Sequence, residues 1–420
     1  MGRENAAVDD RRRFSNLNRC NKEVNGVNNN DKGLGAERLE VVGLDAESLE
    51  VVGLQTEGLE AGRLNELNKE ALGGRQDEIR DTTFPKTAII VPYFGKFPSY
   101  FGLWLRSCAI NPEIDWLLVT DITSDHEFPA NVRVVSWDFA SVVRRIQEVL
   151  GKDVVVPVPH KLCDYKVFYG LIFQEFIHEY AYWGYCDVDV IFGKLTSFLS
   201  KEILQSHDKI FGLGHFCLMP NTERVLGVIR GAADIEAVRA NVLQNPRTTL
   251  FDEWYGTVNI NTLFEDQGLR IYEDPGVIAD LYSSSPNFKR SFWDKTKQGG
   301  RMETENNLLV WNEISGLTRF WVNGEQVQRE PVMYVHLKER IMPISEDLLG
   351  DNADSAMEFL SIPSFGIFPS GFQRWDANRV PGLQDFRDYN EGFWKYAKRR
   401  GKRKWRNGLY LLKMRLGIKP

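Results

Sequence analysis

Between residues 86 and 192 the chain alternates short apolar runs with longer segments of helical spacing. TAIIVPYFG (Thr87–Gly95) reads as a buried strand closed by a glycine turn, and an aromatic stretch of helical spacing follows through Leu105. DWLLVTD (Asp115–Asp121) and VRVVSWD (Val132–Asp138) are two further strands, and SVVRRIQEVLG has a helical period that stops at Gly151. Strands alternating with helices predict a mostly parallel sheet flanked by helices, with ligands bound beyond the carboxyl ends of its strands. Leu162, Tyr165, Tyr169, Ile172, Phe176 and Tyr180 recur at spacings of three and four, which predicts an amphipathic helix over Lys161–Tyr180 with its aromatic stripe in the core. YWGYCDVDVIFG follows directly and reads as an apolar strand interrupted by two acids.

The flanks have a different texture. Residues 1–85 contain no aromatic residue between Phe14 and Phe84, and leucine recurs every five residues from Leu34 to Leu64, with AERLEVVGLD nearly copied as AESLEVVGLQ. A pentapeptide-repeat solenoid has that period, but seven repeats make fewer than two square coils. A duplicated low-complexity leader is the simpler reading. Residues 86–345 are read as the main domain, 346–390 as an extension packing on it, and 391–420 as a basic, aromatic tail.

Composition sharpens this division. A content of 43% hydrophobic residues and 12% aromatics among 420 residues excludes a wholly disordered chain. The net charge of −6 hides eleven Lys or Arg and no acid between Lys395 and Lys419, leaving −17 for the rest (−6 − 11). Five widely spaced cysteines resemble neither a disulfide framework nor a zinc ligand set, which fits a reducing compartment. The start, MGRENAAVDDRRRF, has no apolar core of a signal peptide, and no run approaches the roughly 18 to 20 apolar residues of a spanning helix. The expectation is a cytoplasmic protein.

Asp187 and Asp189 flank Val188 in a segment otherwise as apolar as a central strand. On an extended chain, carboxylates two residues apart point to the same side and can face one cation. Left unpaired in an apolar setting, each would cost several kcal/mol, which a divalent ion bridging to a diphosphate offsets. Solvated acids at an exposed strand end are the alternative.

Taken together, IIVPYFGKFPSYF, KLCDYK, GYCDVDVIFG, GLGH and VHLKER resemble the core of glycosyltransferases with the GT-A fold, from about Lys86 to Met342. The nearest likeness is to an uncharacterised bacterial glycosyltransferase-like family associated with surface polysaccharide synthesis. The resemblance implies an α/β, GT-A-like (Rossmann-like) fold and hexosyl transfer from a nucleotide sugar, a UDP-sugar foremost, to a glycan or lipid-linked acceptor. It implies Mn2+ or Mg2+ on Asp187 and Asp189, with Asp187 also serving the donor, and a base and ribose cradle at Pro92, Tyr93 and Phe94. Lys161 and Asp164 match a pair that contacts the donor sugar in related retaining families. His336 corresponds to a late third metal ligand and Lys338 to a diphosphate-binding lysine, with an ordinary core or surface histidine as the other reading of His336. His215 is read as an acceptor-pocket or structural residue. Glu253, with Asp252 beside it, is the candidate base for an inverting reaction. In a retaining enzyme these two acids would orient acceptor hydroxyls, and a solvated acidic turn is the remaining alternative.

The tail mixes its cations with Phe393, Trp394, Tyr396, Trp405 and Tyr410, a pattern suited to peripheral contact with an anionic membrane surface. Nucleic acid is disfavoured, because the main domain is acidic and carries no nucleic-acid motif. Two other classes are weighed: a sugar-phosphate nucleotidyltransferase, which usually has a glycine-rich basic loop where VPYFGKFPSYF stands, and a non-catalytic scaffold.

Overall fold

The structure, a computed structural model, describes residues 84–254, 258–274, 276–281, 288–294, 299–302, 307–338, 341–349 and 356–386. The leucine repeat of the leader and the basic tail both lie outside the described residues.

From its start the described chain builds β1 (Thr87–Pro92), β2 (Ile114–Thr120), β3 (Val132–Ser136), β4 (Tyr182–Cys186), β5 (Val190–Phe192), β6 (Lys209–Ile210), β7 (Phe216–Pro220) and β8 (Ile271–Tyr272). All but β5 form one sheet in the order β3-β2-β1-β4-β7-β6-β8. Neighbours from β3 to β4 are parallel, β7 runs antiparallel to β4 and β6, and β8 is parallel to β6. The expected α/β architecture with a large, mostly parallel sheet flanked by helices is therefore present.

Both faces of this sheet are covered, which is why its strands read as nearly continuous apolar runs. Ile89, Val91, Trp116 and Leu118 pack with the helix Phe101–Ala109 on one side. Ala88, Ile90, Leu117 and Val119 pack with Val142 and Ile146 of the helix Phe139–Leu150 on the other. That second helix starts where Asp138 accepts a hydrogen bond from the Ser141 amide at 2.7 Å and stops at Gly151, whose φ of 108° disfavours a side chain.

The segment expected as one helix over Lys161–Tyr180 is instead a 3-10 helix, Pro159–Phe168, followed by two short α-turns, Tyr169–Ile172 and Gln174–Ile177. Lys161, Asp164 and Lys166 are all buried within it, so each must find a partner. In a 3-10 helix residues three apart eclipse, which brings Lys161 Nζ to 2.6 Å from Asp164 Oδ2. Most of the expected aromatic stripe is core: Leu162, Tyr165, Tyr169 and Ile172 are at most 5% exposed, whereas Phe176 and Tyr180 are only partly buried against it.

CDVDVIFG is likewise two strands rather than one. β4 ends at Cys186 in the first sheet, and β5 begins at Val190 in a second, leaving Asp187–Asp189 at the crossing. The second sheet adds β9 (Ile278–Asp280), β10 (Lys289–Asp294) and β11 (Gly299–Met302). β12 (Asn307–Asn312), β13 (Gly316–Asn323) and β14 (Gln326–Val332) follow, and β15 (Tyr334–His336) returns to the second sheet, whose order is β11-β10-β9-β15-β5.

A third, antiparallel sheet has the order β14-β13-β12-β16-β17, completed by β16 (Ser364–Phe368) and β17 (Gly371–Arg374) from the segment read as an extension. Leu309 and Trp311 of β12 point into the main core, whereas Leu308 and Val310 meet Phe320, Phe368, Trp375 and Phe386 in a small outer cluster. Trp311 Nε1 donates to the Phe192 carbonyl at 2.9 Å, tying this sheet to β5. Among the described residues no helix is long and apolar enough to cross a membrane, and the described cysteines are free thiols.

Candidate metal and ligand site

A cavity of about 790 Å³ opens at the carboxyl ends of β1 and β4. It brings together Pro92, Tyr93, Phe94, Asp187, Asp189, Asp252, Glu253, His336 and Lys338, drawn from positions up to 246 residues apart (338 − 92). The turn after β1 is pinned to β2 by the Tyr93 amide, which donates to the Val119 carbonyl at 2.9 Å. Tyr93 then stacks on Phe97 with centroids 5.3 Å apart, and Phe97 on Phe101 at 3.8 Å, so an aromatic ladder runs from the core to the cavity wall.

Asp189 and His336 meet because β15 pairs antiparallel with β5, setting His336 opposite Val190. The Leu337 amide donates to the Asp189 carbonyl at 2.7 Å and closes the junction. His336 Nε2 lies 3.5 Å from Asp189 Oδ1, and Nδ1 lies 3.5 Å from Oδ1 of Asp280, which sits opposite His336 on the parallel strand β9. Burial alone would lower the basicity of this imidazole, but Asp189 and Asp280 outweigh it and push the pKa up to about 10. Lys338, in the left-handed region at φ 50°, places Nζ 3.0 Å from Asp280 Oδ2.

Ligand atoms of Asp187, Asp189 and His336 all lie within 4.8 Å of one another. Donors bonded to one small cation at about 2.1 Å stand no more than ~4.2 Å apart. That limit holds only for donors on opposite sides of the ion and adjacent ones stand ~3 Å apart, so closure draws the widest of these gaps in by up to ~2 Å, and two carboxylates with an imidazole are donors that a divalent first-row ion accepts. The Asp187 side chain is 31% exposed, so this set is open to the cavity. His215, Asp280 and His336 form a second convergent set, but His215 and Asp280 are only 4% and 1% exposed.

His215 does not line the cavity. It lies against His336 with ring centroids 4.2 Å apart, and its Nδ1 is 2.8 Å from the Tyr334 hydroxyl. Its geometry is that of a support for the His336 ring.

Lys161 and Asp164 are also absent from the lining, each 0% exposed. Besides their mutual pair, Lys161 Nζ donates to the Val242 and Arg247 carbonyls at 2.8 and 2.9 Å, while Asp164 accepts from the Thr249 and Phe251 amides. In place of a donor-sugar contact they form a buried clamp on the loop that delivers Leu250, Asp252 and Glu253. Leu250, at φ 58°, enters that turn in a conformation few side-chain-bearing residues adopt.

Lys166, two residues beyond Asp164, escaped the sequence reading. Its Nζ is 2.6 Å from Asp187 Oδ1, 3.0 Å from the Gly214 carbonyl and 3.6 Å from Asp252 Oδ2. Burial pulls its pKa down, but Asp187 foremost, with Asp252, raises it well above the ordinary lysine value. The available signal was a charged residue inside an apolar helix, since such a residue must be paired.

Asp252 is 1% exposed, and burial pushes its carboxyl up to about 7 against the opposing pull of Lys166. Glu253 is raised as well, by burial first and then by Asp187. Cys163 also lines the cavity, but burial raises its thiol to about 12, which excludes a ready thiolate nucleophile.

A family model described as a family of unknown function, DUF6625, matches residues 89–375, more than half of the chain and all of the cavity lining. The chain belongs to that family. No curated protein matches it in sequence.

Proposed function

We propose that this DUF6625 protein is a metal-dependent glycosyltransferase, moving a sugar from a nucleotide-sugar donor to a glycan or lipid-linked acceptor. The carrying observation is the convergence of Asp187, Asp189 and His336 beside an aromatic-walled cavity at the ends of parallel strands. The β3-β2-β1-β4 run, with the acidic pair where the chain leaves that sheet, supports a GT-A-like reading of the fold. A volume of about 790 Å³ accommodates a nucleotide sugar.

On this reading Asp187, Asp189 and His336 hold Mn2+ or Mg2+, which supplies charge neutralisation to the departing diphosphate. Asp280 faces the far nitrogen of His336 and orients the ring, the usual role of a carboxylate behind a ligating histidine. Pro92, Tyr93 and Phe94 offer an apolar, stacked surface for the base. Lys338 presents a cation at the cavity wall, where a diphosphate would bind. Glu253 is the base if the reaction inverts, helped by Asp252, whose proton affinity near neutrality suits such work. If the reaction retains configuration, the same two carboxyl groups orient the acceptor hydroxyls. The tail is proposed to hold the enzyme against an anionic membrane where lipid-linked acceptors lie.

A thermal-shift screen of nucleotide sugars with and without MnCl2, followed by hydrolysis assays on any hit, tests this reading. Stabilisation by one nucleotide sugar only in the presence of the metal is expected. No metal-dependent response across UDP-, GDP-, dTDP- and CMP-sugars would overturn it.

A further inference from the structure

Lys166 stands between two carboxylates, bonded to one and close to the other. Its ammonium is 2.6 Å from Asp187 Oδ1 and 3.6 Å from Asp252 Oδ2, with the Gly214 carbonyl at 3.0 Å as a fixed third contact. Asp252 Oδ1 is buried with no hydrogen-bond partner among the described residues, so this carboxylate has acceptor capacity unused. Room for it depends on Gly214, because a Cβ at that position would overlap Asp252 Oδ2. Asp187 is at the same time one of three groups, with Asp189 and His336, that converge. An ammonium and a divalent cation cannot share a carboxylate oxygen cheaply in a poorly solvated site, since like charges at contact repel strongly there.

We propose that Lys166 is a built-in competitor for the cation, holding Asp187 in the metal-free protein and passing to Asp252 when a divalent ion takes Asp187. The inference rests on the cation-binding reading of the site and adds a moving part to it. Lys166 keeps its proton throughout and exchanges only its partner. A shift of about an ångström brings Nζ into hydrogen-bond range of Asp252. Cation occupancy is thereby transmitted to the Asp252–Glu253 turn on the opposite wall. The coupling is reciprocal, so whatever fixes Lys166 on Asp252 also tightens the hold on the cation.

The test is calorimetric titration of MnCl2 into the full chain as wild type, Lys166→Gln, Lys166→Met and Lys166→Arg. Removing the competing charge should tighten Mn2+ binding by roughly tenfold in the Gln and Met variants, while Arg, which keeps the charge, stays near or below wild type. Asp252→Asn, lacking the receiving carboxylate charge, should bind Mn2+ more weakly than wild type. If the uncharged variants fold only with metal, refolding at Mn2+ concentrations that leave wild type unbound is the equivalent expected result. Unchanged or weaker binding in the uncharged variants, with wild type binding normally, overturns the competitor role alone. A wild-type chain that binds no Mn2+ overturns the cation site itself.

Discussion

His215 and His336 stack with ring centroids 4.2 Å apart and planes 23° from parallel, yet their surroundings drive them in opposite directions. Burial, and then the positive charges of His336 and Lys338, hold His215 well below the usual histidine range. Asp189 and Asp280 hold His336 well above it. The neutral ring is bonded to Tyr334 and fixes the plane against which the charged ring lies.

His215→Ala should therefore weaken Mn2+ binding by roughly 10- to 100-fold without removing a ligand, the range seen when groups behind a metal ligand are lost. His215→Phe keeps the stack and should recover part of the loss. Titration calorimetry distinguishes the two, and equal affinity in all three proteins would show that the stack does not orient His336.

The ligand carboxylates give a second prediction. Asp189→Asn keeps the side-chain shape and removes a charge, so the protein should fold normally and lose most donor binding and turnover. His336→Ala removes the nitrogen donor and should shift the preference from manganese toward magnesium, which favours oxygen and water. Activity with each metal, normalised to circular dichroism of the folded chain, checks both. Wild-type turnover in Asp189→Asn would overturn the metal-ligand role of Asp189.

Much of this site was legible because its chemistry sits beside strong patterns. Strand-like runs marked the ends of β1 and β4, and carboxylates in an apolar context marked Asp187 and Asp189. What periodicity could not show was that the chain changes sheets at that pair, since an apolar run looks the same in one strand as in two. Asp280 was invisible because its partners, His336 and Lys338, lie 56 and 58 residues away (336 − 280, 338 − 280) and meet it only through the pairing of β9 with β15. Lys161 and Asp164 were read as site residues from resemblance, whereas burial makes them structural. Spacing alone does not say which side of a helix the cavity is on.

That burial yields a third prediction. Lys161 and Asp164 are both 0% exposed and form a 2.6 Å pair, so removing one partner strands a charge in the interior. Asp164→Ala should cost about 3–5 kcal/mol, read as a lower urea midpoint. The double variant Lys161→Met, Asp164→Leu should cost less than the sum of its single changes, because neither charge is then left alone. Strict additivity would contradict the clamp.

The last prediction concerns pH and Asp252. Its carboxyl titrates at about 7 in the folded chain, against about 3.9 for an unfolded aspartate. Between those values the native state holds a proton that the unfolded chain has released, so the unfolded state binds fewer protons and stability falls as pH rises. The contribution is complete below pH ~3.9 and is lost as pH passes through about 7. Lys166, Glu253 and Asp187 face the same group and act on its carboxyl, so the wild-type curve alone does not isolate Asp252. Comparison with Asp252→Asn does, because the amide carries no titrating proton while Lys166, Glu253 and Asp187 remain. Urea midpoints measured in EDTA at pH 4.5, 5.5, 6.5 and 7.5 should show wild type losing ground steadily to the variant across the series. Parallel curves would mean that Asp252 is ionised throughout, held so by Lys166 strongly enough to cancel the cost of its burial.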